Sequence, residues 1–312
     1  MIVTLAGGVG GGKFARGLTE VLAPHELTLV VNTADDFRHL GLWISPDLDS
    51  VMYAVADLND TDRGWGLMGE SWNFMRALER LAGPTWFTLG DGDLATHVMR
   101  TTLLDAGKTL SEVTRELCAQ LNVEHTIVPM SDLPVATRII SDQGDLAFQE
   151  YFVARQCAPV VKNVVFSGAE TALPAPKFVA ALAAADAVLI APSNPYVSIG
   201  PILALPDVRA AIAARRAPVI AVSPIVNGAA IKGPLAKMLR EAGADVSPLG
   251  VANWYADLVD GWIIDRADRE HADALRASGW KVHVCETIMR DTSSKVALAQ
   301  EAITFARELL AG

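Results

Sequence analysis

Five glycines stand among the six residues Gly7 to Gly12, broken only by Val9. Backbone this bare lets main-chain N–H groups approach a phosphate closely, and it tolerates positive φ. The run overlaps two motifs. Gly7-x-x-x-x-Gly12-Lys13 matches a P-loop up to its last position, where Phe14 replaces the magnesium-ligating Ser or Thr. Gly8-x-Gly10-x-Gly12 falls one residue short of the dinucleotide fingerprint. The rival reading is a glycine turn required only for packing. Gly8, Gly10, Gly11, Gly12 and Lys13 are therefore candidate phosphate-binding residues.

Carboxylates are the second signal. Asp47 and Asp49 lie two apart beside Ser45 and Pro46. In extended backbone they would face opposite sides, so they act together only within a turn. Asp35, Asp36, Asp91 and Asp93 enlarge the acidic set. Oxygen-only ligands suit magnesium, which takes one or two carboxylates and completes its shell with substrate phosphates. Helix capping is the rival use for any one of them. The six histidines lack metal spacing, and His97 alone sits in a polar turn context. Trp43, Trp65, Trp72 and Trp86 read as core, with ring stacking as the rival.

These groups need a frame. Ile2 to Leu5 and Leu27 to Val31 read as buried strands, the first running into the glycines and a helix over Lys13 to Leu22. Helices are expected over Ser50–Leu58, Trp72–Leu81 and Leu94–Leu104, and a fourth runs from the Thr109-x-x-Glu112 capping box to Leu121. A loop spans 60–70, a short strand is expected over 84–89, and 90–93 reads as a turn. A strand follows at His125–Pro129, then a hairpin around Gly144. Beyond Pro176 strands and helices alternate regularly. That pattern predicts an α/β fold, a Rossmann-like and mostly parallel sheet with helices on both faces. Residues 1–49 and 122–312 form its core, and 50–121 a smaller, mainly helical insertion.

In such sheets ligands bind at the carboxyl ends of the strands. Those ends carry Asn32 with Asp35 and Asp36, then Ser193, Asn194 and Ser198, then Ser223, Asn227 and Lys232. Each loop alone is ordinary turn chemistry. Together on one sheet edge they favour a nucleotide or phosphate pocket.

The chain has 312 residues, 51% of them hydrophobic, with a net charge of −10. That length holds one large α/β domain or two smaller ones. The acidic balance argues against general nucleic-acid binding. Cys118, Cys157 and Cys285 are scattered and odd in number, as expected of reduced thiols. Asp186 interrupts the longest apolar run, and no basic segment precedes the first strand. The expectation is a cytoplasmic protein without a membrane or nucleic-acid partner.

Beyond these readings, the segments LAGGVGGGKFARGL, VVNTADDFRHLGLWISPDLDSVMY, PTWFTLGDGDLATHVMRT, APSNPYVSIGPILALP and SPIVNGAAIKGP resemble the 2-phospho-L-lactate transferase (CofD-like) family. GWG followed by ESW, and VPMSDLP, belong to the same resemblance, which runs over nearly the whole chain. It implies transfer of a phosphate-bearing three-carbon acid from a guanosine-diphosphate-linked donor to 7,8-didemethyl-8-hydroxy-5-deazariboflavin. GMP leaves, and the product is a precursor of coenzyme F-420. The acid would be 2-phospho-L-lactate or its phosphoenolpyruvate or phosphoglycerate counterpart. The resemblance also implies a magnesium requirement, a Rossmann-like core with a helical part bearing on the acceptor, and a homodimer.

By position, Asp49 is the aspartate the resemblance sets against the deazaflavin, catalytic together with Asp47. Magnesium is expected on Asp49 and Asp36. Substrate is expected on Gly8, Gly10, Gly11, Gly12, Lys13, Asn32, Asp36, Asp91, His97, Ser193, Asn194, Ser198 and Ser223. One departure stands out: Gly92 replaces an arginine the family commonly carries, which puts a different acceptor, a different acid or compensation by Arg100 or Lys13 in view. A non-catalytic, nucleotide-sugar-binding regulator of the same superfamily is the alternative. A nicotinamide-dependent dehydrogenase ranks lower, because the fingerprint is imperfect.

Overall fold

The computed structural model describes residues 1–311. In chain order its strands are β1 (Ile2–Ala6), β2 (Leu27–Val31), β3 (Phe37–His39), β4 (Leu42–Ile44), β5 (Thr126–Pro129), β6 (Ala136–Ser141), β7 (Gly144–Ala147), β8 (Val161–Ser167), β9 (Ala187–Ile190), β10 (Val219–Val222), β11 (Ile225–Val226), β12 (Ala229–Ala230), β13 (Gly261–Asp265) and β14 (Lys281–Cys285). Seven of them make one parallel sheet in the order β14-β13-β10-β9-β1-β2-β5. The α/β expectation therefore holds.

These strands are apolar runs because both faces are covered. Every residue of β2, β9, β10 and β13 is buried. Alternation divides them between two cores. Val3, Leu5 and Val30 face one core with Phe178, Ile202 and Leu239. Leu29, Val31 and Ile220 face the other with Phe14, Leu18, Val51 and Leu298.

The second layer includes α1 (Gly8–Val21), α2 (Pro46–Val55) and the C-terminal helix Thr292–Ala311. Here the structure corrects the helix start. The glycines are not a turn before the helix but its first turns, with Gly7 as N-cap. Glycine disfavours helix interiors, which is why its run read as a turn. Close approach explains its use. A Cβ on Gly12 would lie 2.8 Å from the Ser50 carbonyl oxygen, and one on Gly17 would overlap that of Lys295. Absent side chains thus let α1 press against α2 and the C-terminal helix.

Two excursions leave the sheet. The first runs between β2 and β5 and holds the β3–β4 hairpin, α2, α3 (Asn73–Arg80), α4 (Asp91–Asp105) and α5 (Leu110–Gln120). It contains residues 50–121, but starts earlier, and α2 packs into the core of the parallel sheet. The second lies between β5 and β9 and forms an antiparallel sheet, β7-β6-β8, of which the sequence revealed only the hairpin. Two further expectations fail. Residues 84–89 form no strand; their aromatic rings instead pack on Phe37 and His39. Residues 91–93 begin α4 rather than ending a turn.

Candidate functional site

β1 is flanked by β2 on one side and β9 on the other, and the chain winds outward from this pair in opposite directions. Such a reversal opens a crevice at the carboxyl ends of the two strands. A cavity of about 730 Å³ lies there. Gly8, Gly10 and Lys13 line it from α1, and Ser193, Asn194, Ser198 and Ser223 from the loops after β9 and β10. Asp47, Asp49 and His97 line it from the first excursion.

One wall is suited to an anion. The first N–H groups of a helix have no intrahelical partner, and α1 directs that end into the cavity. Gly8 takes a positive φ of 64°. A Cβ on Gly10 would overlap the Pro192 carbonyl oxygen, so glycine alone lets the loop after β9 close on the helix. Ser193 fastens that contact: its Oγ donates to the Gly7 carbonyl at 2.8 Å and accepts the Gly7 N–H at 3.3 Å. Asn194 Oδ1 accepts the Tyr196 N–H at 2.9 Å. Ser223 Oγ bonds locally to Ile225. These side chains shape the wall, and the helix end and nearby cations supply its positive character. Lys13 Nζ donates to the Met289 carbonyl at 3.0 Å. Burial, then Lys232 and Lys295, lower its pKa from the usual lysine value.

The opposite wall is acidic. Asp47 and Asp49 occupy the first turn of α2, where carboxylates favour the helix dipole. Both are buried. Asn32 lies behind Asp47 and donates to its Oδ2 at 2.9 Å. Burial pushes the Asp47 carboxyl up to about 6, opposed by the bonds from Asn32 and the Gly8 amide. Asp49 is gripped by Arg100, whose Nη1 donates to Oδ2 at 3.1 Å and whose Nη2 donates to Oδ1. Burial raises the Asp49 pKa and Arg100 opposes the rise. On α4, Asp93 accepts the Tyr53 hydroxyl at 2.8 Å, and its Oδ2 lies 3.4 Å from His97 Nε2.

The partners of three aspartates decide their roles. Asp36 does not line the cavity; it accepts from Ser45 Oγ at 2.6 Å and Trp43 Nε1 at 3.2 Å. Asp35 lines the cavity instead, and its Oδ1 is buried without a partner. Burial, then the charge of Asp47, raises its pKa well above the usual carboxylate value. Asp91 caps α3, accepting from Ser71 Oγ, the Asn73 and Phe74 amides and Asn73 Nδ2. Those bonds, Ser71 foremost, hold its pKa below the usual value. Gly11 and Gly12 serve packing rather than the cavity wall. Asn32 acts through Asp47.

Gly92 also lies outside the cavity lining. Its N–H and that of Asp93 donate to the Glu70 carboxylate at 2.8 and 2.7 Å, capping α4. A side chain at position 92 would point at Glu70 and Leu67. The tryptophans divide. Trp65 lines the cavity, with the Arg63 guanidinium 5.3 Å from its ring and 4.8 Å from that of Trp72. Trp86 packs edge-on against His39. Lys232 Nζ donates to the Arg63 carbonyl at 3.2 Å, joining two loops at the cavity.

Tyr53 carried no signal as a lone residue. Its position four after Asp49, and that of His97 four after Asp93, becomes visible once both segments are read as helices. The three cysteines are free, and no helix among the described residues is long and apolar enough to cross a membrane.

A family model described as 2-phospho-L-lactate transferase CofD matches residues 2–302. The chain is 42% identical to a phosphoenolpyruvate transferase of Kitasatospora aureofaciens, covering 100% of this chain and 99% of that one. It is 38% identical to a 2-phospho-L-lactate transferase of Methanosarcina acetivorans, covering 96% and 97%. Among solved structures it resembles a member of the upf0052 family from Bacillus halodurans, with a TM-score of 0.63 at 15% identity over 96% of this chain and 98% of that one. That last likeness speaks to the fold alone.

Proposed function

The chain belongs to the 2-phospho-L-lactate transferase CofD family, and from that premise we propose that it transfers a phospho-three-carbon-acid group from a guanosine-diphosphate-linked donor to the terminal ribityl hydroxyl of 7,8-didemethyl-8-hydroxy-5-deazariboflavin, releasing GMP in coenzyme F-420 biosynthesis. The observation that carries this reading is the shared cavity. Gly10, Asp49 and Asn194 arise from three distant parts of the chain and line one space. Its walls differ in sign, as a diphosphate ester and a metal-binding acidic rim require. The relatives at 42–39% identity are named for phosphoenolpyruvate, and those at 38–36% for 2-phospho-L-lactate. That order favours an enolpyruvyl phosphate as the group transferred.

In this reading the GMP part lies against the α1 end and the Ser193-Asn194 loop. The flat deazaflavin has Trp65 for an aromatic surface. Its hydroxyl oxygen attacks the phosphorus that carries the acid. A P–O bond forms there, the bond to the GMP phosphate breaks, and the hydroxyl proton passes to Asp49. Positioning and charge neutralisation carry most of such a transfer.

We assign magnesium to Asp35 and Asp47, two carboxylates that both line the cavity. The partnerless buried oxygen of Asp35 is what an oxygen-ligated cation would satisfy. Asp49, Asp93 and His97 also bring ligand atoms within 4.8 Å of one another. Arg100, however, already grips Asp49 and touches His97 Nδ1 at 3.2 Å, and one imidazole in the set suits magnesium less. Bound there, magnesium would neutralise diphosphate charge.

The test is incubation of the chain with the deazaflavin, magnesium and a mixture of the three guanosine-diphosphate-linked acids, with mass spectrometry of the products. The reading expects a deazaflavin adduct carrying one acid phosphate, chiefly the enolpyruvyl one. Unchanged deazaflavin with bound donor would instead support the regulator.

A further inference from the structure

We propose that Arg100 is a positioning residue for the transfer, holding the Asp49 carboxylate in the one orientation that meets the attacking hydroxyl. The assignment rests on the transferase reading above. Arg100 is 1% exposed and does not line the cavity, so it cannot touch substrate itself. Both groups it grips do line the cavity. Nη1 donates to Asp49 Oδ2 at 3.1 Å and lies 3.2 Å from His97 Nδ1, while Nη2 donates to Asp49 Oδ1.

The fork does two things. A carboxylate held at both oxygens cannot turn about its terminal bond without breaking a charge-assisted pair, so its remaining lone pairs keep a fixed direction. A guanidinium can only donate, so at the contact with Nδ1 that nitrogen is the acceptor, which fixes the ring with Nε2 facing Asp93 Oδ2 at 3.4 Å. Asp49 lies on α2 and Arg100 on α4, so the same contact fixes the spacing of the two helices at the cavity wall. A lysine could supply the charge but not the planar fork.

A buried ion pair that merely tied α2 to α4 would have the same geometry and would also couple in a double-mutant cycle; the two roles separate in the split between kcat and KM, since a loosened wall raises KM and a turned carboxylate lowers kcat. The full-length chain, supplied with magnesium, donor and deazaflavin, is compared as wild type, Arg100→Met, Arg100→Lys, Asp49→Asn and Arg100→Met with Asp49→Asn. Readouts are kcat, the KM of each substrate, and thermal melts. Arg100→Met is expected to lower kcat by about a hundredfold, the scale of a misplaced catalytic group, with the donor KM within about twofold of wild type. Arg100→Lys should lose about tenfold, because the charge stays and the fork goes. In the Asp49→Asn background Arg100→Met should cost less than about threefold more, since the group it positions is gone.

Equal fold-losses in the two backgrounds, or wild-type kcat in Arg100→Met, would overturn the assignment. Should Arg100→Met fail to fold, Arg100→Lys with and without Asp49→Asn makes the same comparison. A wild-type chain that forms no adduct overturns the transferase reading and this assignment with it. An active wild type with additive penalties overturns this assignment alone.

Discussion

Asn32 donates its side-chain amide to Asp47 Oδ2 at 2.9 Å, so the residue that ends β2 braces the carboxylate that opens α2. The bond joins the parallel sheet to the acidic wall of the cavity. It also holds a carboxylate in a place that resists charge. Burial pushes its pKa up from the ordinary aspartate range to about 6.

That elevation has a signed consequence for stability. A raised folded-state pKa means the folded chain binds the Asp47 proton more tightly than the unfolded chain does. The penalty of ionising it is absent below about pH 4, grows between there and about 6, and is complete above. Asp47→Asn, studied without metal, should therefore stabilise the chain at pH 8 by up to about 3 kcal/mol. The gain should shrink as pH falls through 6. Denaturant melts at pH 8 and pH 5 check it, and an equal gain at both would contradict the burial account.

Asp49→Asn should reduce turnover at least about a hundredfold, the range for a general base or charge stabiliser. It also leaves the Arg100 guanidinium buried beside a neutral amide, a defect of about 3 kcal/mol. Rates should be read at a temperature where both chains remain folded. Near-normal turnover would remove Asp49 from the chemistry.

Two glycines should behave oppositely. Gly10→Ala sets a Cβ into the Pro192 carbonyl oxygen, which is backbone and cannot swing aside. Its donor KM should rise by about tenfold, a loss near 1.4 kcal/mol of binding. Gly92→Arg extends toward Glu70, outside the cavity. Its acceptor KM should stay within about twofold of wild type. A large change in acceptor KM would show that position 92 reaches the acceptor after all.

Asp35→Asn should weaken magnesium without displacing the anion wall. Half-maximal turnover should need at least about tenfold more magnesium, since one of two charged ligands is lost. An unchanged magnesium titration would transfer the metal to other aspartates.

Much of the frame was legible because it depends on local pattern. The strands of the parallel sheet are apolar runs bounded by turns, and the structure buries them on both faces. The capping box is equally local: Thr109 Oγ1 accepts the Glu112 N–H, and Glu112 accepts the Thr109 N–H. What failed depends on partners distant in sequence. Gly8 opens a helix whose next turns lack side chains because Pro192 and Ser50 press on Gly10 and Gly12. Residues 84–89 have a strand's composition, but their rings meet Phe37 and His39 instead of a neighbouring strand. Asp35 and Asp36 lie beyond the end of β2, where alternation no longer says which side each faces. Ser45 and Trp43 claim Asp36, leaving Asp35 to the cavity. The Arg100–Asp49 pair spans 51 residues, and no spacing rule connects them.

In the proposed transfer, one cavity brings a guanosine-diphosphate-linked donor to the alcohol of a deazaflavin. The most direct measurement follows GMP release by the purified chain, with donor and magnesium, in the presence and absence of the deazaflavin. GMP is expected only when the deazaflavin is present, one for each adduct formed. GMP released equally without it, or a deazaflavin left unmodified while GMP accumulates, would rule the transfer out.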